Sequence, residues 1–424
     1  MAVHVTTRDL AGIPHAVYGA VRAEVLSQPF ALKLWFAFLT ALCLLGAAGA
    51  LIALPPGWEV FGTSPAFEWG VLITGYVFFA VTTSGLCLAS SLGTVFNIER
   101  FLPFEKRHAV LALLSLVTAF GIIALDLHFP VRMVFGAVLS PSPFSPMWWM
   151  GVFYGAYLLF LIVEVASMFT NHYTIHRISC VCSSVTAVFA PLTLGAVFAV
   201  LAAHPFWHGA LTPPYMILSA FLSGTALLGI VFWAVHRFRL TDFERAATVA
   251  LPAARFLLGI ALVATIGLLG VKLVTDLQST TPYLAETTAT LVSGPLALPF
   301  WIGRVGLGLV IPIVLLALPR TRTPDGILAA SALAFVGLIV DRALFVHAGQ
   351  MVPTTTASGI VSDPFAEYVP TLVELSILVG AGAFVALMYT LAERFLDMRP
   401  HLGHQVPAEV EVTVFVPAAT EGVL

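Results

Sequence analysis

The sequence predicts an all-α integral membrane protein with ten transmembrane helices. Of its 424 residues, 59% are hydrophobic and only 10% are charged, and the mean hydropathy is +0.98. A soluble domain has about 25% charged residues. The apolar residues also fall into ten stretches of roughly the 20 residues that a helix needs to cross a bilayer.

The ten predicted spans follow one another along almost the whole chain. They cover residues 34–54, 69–96, 109–125, 147–169, 178–203, 214–235, 256–275, 297–318, 326–346 and 369–392. The third is short, so we expect it to extend through His108 at one end or Leu127 at the other. The first is too long for the apolar core of a signal peptide, so we expect it to stay in the protein.

The basic residues predict the orientation of the spans. Connections and termini on one side hold 14 of the 19 Lys and Arg residues, Lys106 and Arg107 among them, whereas the opposite connections hold only Arg132. Cytoplasmic loops carry an excess of Lys and Arg. We therefore expect a multi-pass protein of the cell inner (cytoplasmic) membrane with both termini in the cytoplasm. Residues 1–33 are the predicted N-terminal segment, 34–394 the membrane domain and 395–424 the tail.

The composition argues against several classes of site and partner. The net charge is −3 and no basic cluster has interleaved aromatic residues, so nucleic acid is not an expected partner. The four Cys residues lie in apolar runs without iron–sulfur or haem-attachment spacing, and no His falls in the middle of a span. We expect no metal site, haem or iron–sulfur cluster in this chain, so that a partner must supply the metal half of any electron transfer.

Polar residues gather at the predicted outer face beside spans three and four. The third span ends at Asp126, and His128 and Arg132 follow within six residues. Charges close to lipid are costly and mark functional sites by default. The alternative interpretation is a simple ion pair between Asp126 and Arg132 near the interface.

This outer group has the chemistry of a quinone site. Such a site needs a flat apolar slot, a hydrogen-bonding group for each carbonyl and a titratable group that reaches water. Tryptophans are the predicted walls of the slot, although an interfacial aromatic belt explains each of them equally well. The predicted quinone-binding residues are Trp69, Tyr76, Asp126, His128, Arg132 and Trp148.

Further ionisable residues inside the spans predict a proton path through Glu164, Asp341, Arg342 and Glu374. Glu164 lies near the cytoplasmic end of the fourth span and has no basic residue three or four positions away. A lone carboxylate at that depth is either protonated or part of a proton path. For Asp341 and Arg342 the alternative is a mutual ion pair.

Three predicted outer connections, residues 128–146, 276–296 and 347–368, are long and rich in Pro, Ser and Thr. They are either a docking surface for an extracytoplasmic partner or passive connections. Beside the second of them, Lys272 and Asp276 are four residues apart, and their spacing predicts an ion pair on one helix face.

Four motifs resemble the NrfD-like, or polysulfide reductase membrane-subunit, family, which includes membrane subunits of uptake hydrogenases and of menaquinone-reducing and sulfur-metabolism complexes. Each motif is weak alone, and their order along nearly the whole chain carries the likeness. In order they are Glu68-Trp69-Gly70, the segment from Asp126 to Arg132, Ser145-Pro146-Met147-Trp148-Trp149 followed by Glu164, and the block from Asp341-Arg342 through Ala348-Gly349-Gln350 to Tyr368 and Glu374.

The resemblance implies a fold and a function. The fold is two inverted four-helix bundles, about residues 69–203 and 214–346, flanked by helices one and ten. The function is that of a membrane subunit that binds menaquinone or ubiquinone near the extracytoplasmic face. Its implied partners are an extracytoplasmic iron–sulfur subunit, a molybdopterin-type or multihaem cytochrome subunit in the same complex, and membrane lipid. Electrons would pass between the iron–sulfur subunit and the quinone pool, with proton movement as a coupled step to be tested.

Two departures argue against copying a proton route from hydrogenase-type members of the family. Those members have a histidine about where this chain has Ala190-Pro191-Leu192-Thr193, and here Arg304 stands where an acidic residue near Gly303 is missing.

Two other functions also fit the sequence. One is a secondary transporter, which inverted repeats and intramembrane charges suit. The other is a membrane anchor without a quinone site of its own. Against the transporter, no paired Gly- or Pro-interrupted half-helices are evident and the charges crowd one face.

Overall fold

A computed structural model describes residues 30–54, 57–98, 101, 105–127, 141–170, 172–238, 244–281, 283–352, 367–396 and 398. These residues include ten long helices: α1 Phe30–Ala53, α2 Val71–Thr94, α3 Glu105–Asp126, α4 Pro146–Met168, α5 Tyr173–Ala199, α6 Thr212–Phe238, α7 Glu244–Leu277, α8 Pro299–Ala317, α9 Pro324–Met351 and α10 Leu372–Phe395. Each contains an apolar stretch long enough to cross a membrane. The prediction of an all-α multi-pass membrane protein is confirmed. Helices suit this location because a segment inside a bilayer must satisfy its own backbone hydrogen-bonding groups.

The helices match the predicted spans and differ from them at the ends. α3 begins at Glu105 rather than near residue 109, and α7 begins at Glu244 rather than near 256. The assignment of Lys106 and Arg107 to a connection is wrong, because both lie in the first turn of α3 and are buried. Hydropathy misses such a turn because its polar side chains are buried by neighbouring helices, which the local sequence does not reveal.

Eight of the helices form two rings of four. In the first ring α2 packs on α3, α3 on α4, α4 on α5, and α5 returns to α2. In the second ring α6, α7, α8 and α9 pack in the same cyclic order. Short connections between antiparallel neighbours give this arrangement in helix bundles. The two rings are the two predicted four-helix bundles.

The rings meet where α2 packs against α6. A Cβ atom at Gly85 would lie 1.8 Å from the carbonyl oxygen of Ala220, and one at Gly224 would lie 2.1 Å from the carbonyl carbon of Gly85. Only glycine permits this backbone approach, and small residues bring membrane helices together in this way. In the most apolar stretch of α2, 78% of the residues are buried inside the protein, so α2 is its central helix.

α1 and α10 flank the rings, as predicted. They pack on each other, and α10 also packs on α3. At the first turn of α3 the Arg107 guanidinium donates to both carboxylate oxygens of Glu393, at 2.7 and 3.2 Å. In the most apolar stretch of α10, only 17% of the residues are buried, so most of the helix surface can face lipid.

Two features near α8 depart from regular helix–loop structure. The connection after α7 contains a short helix, Leu284–Val292, which buries Thr287, Thr288 and Leu291. The first part of α8, Pro299–Val310, is π-helical and continues as an α-helix through Ile311–Ala317. π-Helical segments are rare and concentrate at functional sites.

Candidate functional site

The alternating directions of the helices separate two ends of the protein. We call the end with the first residues of α2, α4, α6, α8 and α10 the outer end, and the opposite one the inner end. Of the predicted site residues, Trp69, Tyr76, Asp126, Trp148, Asp341, Arg342 and Glu374 lie toward the outer end and Glu164 toward the inner end. The predicted residues His128 and Arg132 lie outside the described residues.

Glu374, in the first turn of α10, has a carboxylate saturated with hydrogen bonds. Its Oε2 accepts from the N–H of Thr371 at 2.8 Å, the hydroxyl of Thr371 at 3.1 Å and the N–H of Gly62 at 3.0 Å. Its Oε1 accepts from the hydroxyl of Tyr368 at 2.7 Å. Thr371 accepts in turn from the N–H of Glu374, which completes a capping box. This carboxylate therefore anchors the start of α10, and its predicted part in proton transfer stays a prediction.

Tyr368 connects this anchor to the start of α2. Its hydroxyl accepts a hydrogen bond from the N–H of Val71 at 2.8 Å while donating to Glu374. Burial, together with the negative charges of Glu374 and Asp126, raises the pKa of the Tyr368 hydroxyl above its ordinary value. The hydroxyl therefore stays protonated and acts as a permanent donor.

Asp126, the last residue of α3, lies close enough for its carboxyl group to interact electrostatically with Glu374 and with the Tyr368 hydroxyl. It is half-buried, and no group among the described residues forms a hydrogen bond with its carboxylate. Two neighbouring carboxylates thus differ sharply. That of Glu374 accepts hydrogen bonds on both oxygens, whereas that of Asp126 accepts none from the described residues.

Trp69 is held by a two-point contact with Gln350 of α9. The backbone N–H of Trp69 donates to Gln350 Oε1 at 2.8 Å, and Gln350 Nε2 donates to the backbone carbonyl of Trp69 at 3.0 Å. The Trp69 ring stacks on Trp207 with centroids 5.0 Å apart and meets the edge of Phe198 at 5.2 Å. Trp69 therefore packs inward among aromatic rings, so an interfacial belt does not explain its position.

Tyr76 lies on α2 and Trp148 on α4, and the two helices are in contact through Tyr76 and Met150. The buried Tyr76 has its hydroxyl 3.6 Å from the thioether sulfur of Met150, which is a weak acceptor. Trp148 is half-buried at the start of α4, with its ring edge-on to Trp149 at 4.8 Å.

Asp341 and Arg342 belong to a network in the second ring. The main partner of Asp341 is Arg304 of the π-helical segment, with Nε and Oδ1 2.5 Å apart, whereas Arg342 lies 4.0 Å away. The hydroxyl of Tyr215 donates to the other oxygen of Asp341, and Arg342 donates to Ser219. The alternative of a mutual Asp341–Arg342 pair is therefore present at 4.0 Å, but it is secondary to the contact of Asp341 with Arg304. The predicted Lys272–Asp276 pair is confirmed at 2.7 Å.

Glu164 belongs to a polar cluster at the inner end that the sequence did not predict. Its carboxyl group lies near Cys180, Ser183 and the imidazole of His176. His176 Nε2 is 2.5 Å from Oε1 of Glu105, the first residue of α3. Three possible metal-ligand atoms, on Glu105, His176 and Cys180, lie within 4.8 Å of one another.

Part of this cluster had a signal in the sequence. His176 and Cys180 are four residues apart and therefore share one helix face. Glu105 had none, because it precedes the apolar stretch and meets His176 only through packing. Tyr215 lies within a predicted span, but its contact with Asp341, which joins α6 to α9, likewise arises only through packing.

Comparisons with known proteins agree with the ten-helix membrane fold and with the family that the sequence motifs resemble. The sequence pattern of the family described as polysulphide reductase, NrfD, matches residues 59–354. A protein of Halobacterium salinarum named as a dimethyl sulfoxide reductase membrane subunit is 26% identical over 86% of this chain and 91% of its own length. A selenate reductase subunit of Mesobacillus selenatarsenatis is 23% identical over 86% of this chain and 94% of its own length. An Hdr-like menaquinol oxidoreductase integral membrane subunit of Archaeoglobus fulgidus is 25% identical over 80% of this chain and 87% of its own length.

Proposed function

Because the chain belongs to the polysulphide reductase NrfD family, we propose that it is the quinone- or quinol-binding integral membrane subunit of a respiratory oxidoreductase complex. It exchanges electrons between the membrane quinone pool and an extracytoplasmic iron–sulfur subunit. The names of its relatives support this, since two are reductase subunits and the third is a menaquinol oxidoreductase subunit.

The observation that carries the proposal is the pair of unlike carboxylates at the outer end. Quinone chemistry moves protons together with electrons, so the site needs a carboxyl group that is not already committed to the structure. Glu374 is committed through four hydrogen bonds, whereas the carboxylate of Asp126, at the same end of the protein, forms none with the described residues. We therefore assign the proton-exchanging role to Asp126.

The groups proposed to hold the quinone ring lie on or just before α2 and on α4, toward the same outer end as Asp126. The Tyr76 hydroxyl is a suitable donor to a quinone carbonyl because its described partner, the sulfur of Met150 at 3.6 Å, is weak and easily replaced. Trp69 and Trp148 provide flat apolar surfaces, and His128 and Arg132 are proposed to complete the site. The bound molecule is a menaquinone or ubiquinone, which supplies two-electron, two-proton redox chemistry.

The partner subunits are proposed to bind at the outer end, where Asp126 lies. An iron–sulfur subunit there, with a molybdopterin-type or multihaem cytochrome subunit behind it, would give electrons a short route to the quinone. Inner-membrane location and cytoplasmic termini are parts of the same proposal. The proton-path roles of Glu164, Asp341 and Arg342 stay predictions.

The test is Asp126→Asn in the complete complex, isolated through a tag on this chain. Asparagine keeps the size of the side chain and cannot exchange a proton, so we expect quinone-linked turnover to fall by about 100-fold or more, the scale of a lost general acid–base group. Turnover with a soluble dye that bypasses the membrane subunit should stay unchanged. The matched control is Glu68→Gln, which neutralises an exposed carboxylate just before α2, at the same outer end of the protein as Asp126.

Wild-type quinone turnover in a correctly assembled Asp126→Asn complex would remove Asp126 from the mechanism. If the tagged wild-type chain brings no iron–sulfur subunit with it, the proposed function itself is wrong and the transporter becomes the better interpretation.

A further inference from the structure

We propose that the inner end of the first ring contains a binding site for one divalent transition-metal ion, with the chemistry of zinc. Its ligands are Glu105 of α3 and His176 and Cys180 of α5, and Glu164 of α4 lies beside them as a fourth donor. The site lies at the opposite end of the protein from Asp126 and does not depend on the quinone function.

The three donor atoms are already gathered. His176 Nε2 is 3.6 Å from Cys180 Sγ, and Cys180 Sγ is 3.9 Å from Glu105 Oε1. Tetrahedral zinc with its ordinary bond lengths to sulfur, nitrogen and oxygen requires about 3.6 Å between sulfur and either of the other two donors. The 2.5 Å contact between Nε2 and Glu105 Oε1 is a hydrogen bond, and it opens by about 0.9 Å when zinc takes the place of its proton.

The imidazole of His176 is oriented for metal binding. The hydroxyl of Ser167 donates to the backbone carbonyl of Glu164 at 2.8 Å, so its oxygen is left to accept from Nδ1–H of His176 at 3.3 Å. That bond leaves the lone pair of the neutral ring on Nε2, which faces Glu105, while Cys180 Sγ lies 3.6 Å from Nε2 and 3.7 Å from Nδ1. Metal-binding histidines are held by a bond of this kind on the other ring nitrogen.

Glu164 provides the independent sign of a missing ligand. It is only 2% exposed, and its Oε2 has no hydrogen-bond partner in the described part of the chain. A buried carboxylate oxygen without a partner is costly. Its carboxyl group lies next to Cys180 and His176, so a bound cation would satisfy it.

The ring geometry explains why the ligands meet. Glu105 and His176 belong to α3 and α5, which lie opposite each other across the first ring, and Glu164 comes from α4 between them. Metal sites in four-helix bundles are built in this way, from side chains that project inward from facing helices.

The donor types select the metal. One thiolate, one imidazole and carboxylates suit zinc, whereas magnesium and calcium prefer oxygen alone. The side chains of His176 and Glu105 are 11% and 13% exposed, so an ion can reach them from the inner end. On binding, zinc displaces the proton of the Cys180 thiol and the proton shared by His176 and Glu105.

The test uses the full chain, purified in detergent and freed of metal with a chelator. Zn²⁺ alone is titrated in competition with a chromophoric chelator, and Co²⁺ alone is followed by the charge-transfer absorption of a cobalt–thiolate bond. We expect one ion per chain and a rise in the unfolding temperature with zinc, because the metal links α3 to α5.

Two variants and a matched control locate the ion. Cys180→Ser should abolish the cobalt–thiolate absorption and weaken zinc binding by about tenfold or more, the least that even outer partners of a metal contribute. Glu105→Gln should keep the absorption and weaken zinc binding. Cys182→Ser removes a thiol two residues away on another helix face and should behave as wild type.

Wild-type protein without a cobalt–thiolate absorption would overturn the proposal by itself, so the result does not depend on the folding of a variant. Equal zinc affinity in Cys180→Ser, Glu105→Gln and wild type would overturn it as well.

Discussion

Asp126 and Glu374 show how two carboxylates at the same end of the protein differ in their hydrogen bonding. Their sequence positions are similar, since each lies at the outer end of an apolar span. Hydrogen bonding separates them, because the capping box, Gly62 and Tyr368 use the lone pairs of Glu374, whereas the carboxylate of Asp126 accepts no hydrogen bond from the described residues. A carboxylate that is saturated in this way stabilises the fold and is poorly suited to release and regain protons.

We expect Glu374→Ala to destabilise the protein without a specific effect on quinone turnover per folded complex. The change removes the N3 partner of the capping box and leaves the Tyr368 hydroxyl and the Gly62 N–H without their acceptor. Each charge-assisted hydrogen bond contributes about 1.5–3 kcal/mol, so the free energy of unfolding should fall by about 3 kcal/mol. Thermal unfolding in detergent measures the change.

Thr371→Ala is the matched control at the same cap. It removes the hydroxyl and leaves the Glu374 carboxylate in place, so it should cost only about 1 kcal/mol, the usual cost of a lost N-cap. A Glu374→Ala protein as stable as wild type, but without quinone turnover, would move Glu374 from the structural role to the proton path.

At the scale of the elements, the contact between α2 and α6 decides how the two rings come together. Gly85 and Gly224 face each other there with no room for a side chain on either. The position of Trp69, Tyr76 and the start of α2 relative to α9 therefore depends on two residues that have no functional group.

We expect Gly85→Ala to lower the free energy of unfolding by about 1–3 kcal/mol, the cost of overpacking a well-packed interface. The added Cβ atom would lie 1.8 Å from the backbone oxygen of Ala220, which cannot move without its helix. Denaturation of the detergent-solubilised chain gives the measurement.

The control for this change is Gly121→Ala in α3, where an added Cβ atom meets nothing within 4 Å. Alanine should be neutral or slightly stabilising there, because glycine is a poor helix former. Equal stabilities of the two variants would contradict the packing of α2 on α6.

Arg304 illustrates the effect of element geometry on a residue's role. By sequence it is an isolated charge in an apolar span. The π-helical turn of α8 places it against Asp341 of α9 and over the rings of Tyr215 and Phe300. The charge is thereby paired inside the second ring, as an ionisable residue within a bilayer must be.

For the molecule as a whole, the orientation in the membrane determines which end faces the partner subunits. With both termini in the cytoplasm, alkaline phosphatase fused after Arg399 should be inactive, and phosphatase inserted near Ser358 should be active, because the enzyme folds only outside the cytoplasm. The physical cause is the excess of basic residues on the cytoplasmic side. Phosphatase activity of intact cells is the measurement, and the reverse pattern would place the proposed quinone site at the wrong face.

The amino-acid sequence was sufficient to predict the ten spans, the expected orientation from the basic residues, and the position of Asp126 at the end of a span. These follow from hydropathy, charge and order along the chain, which are local properties. Tertiary structure decided which charges are paired, because pairing depends on which helix faces meet. Arg304 rather than Arg342 is the main partner of Asp341, and Glu105 meets His176 across a ring, since contacts between distant segments carry no local signal in one sequence.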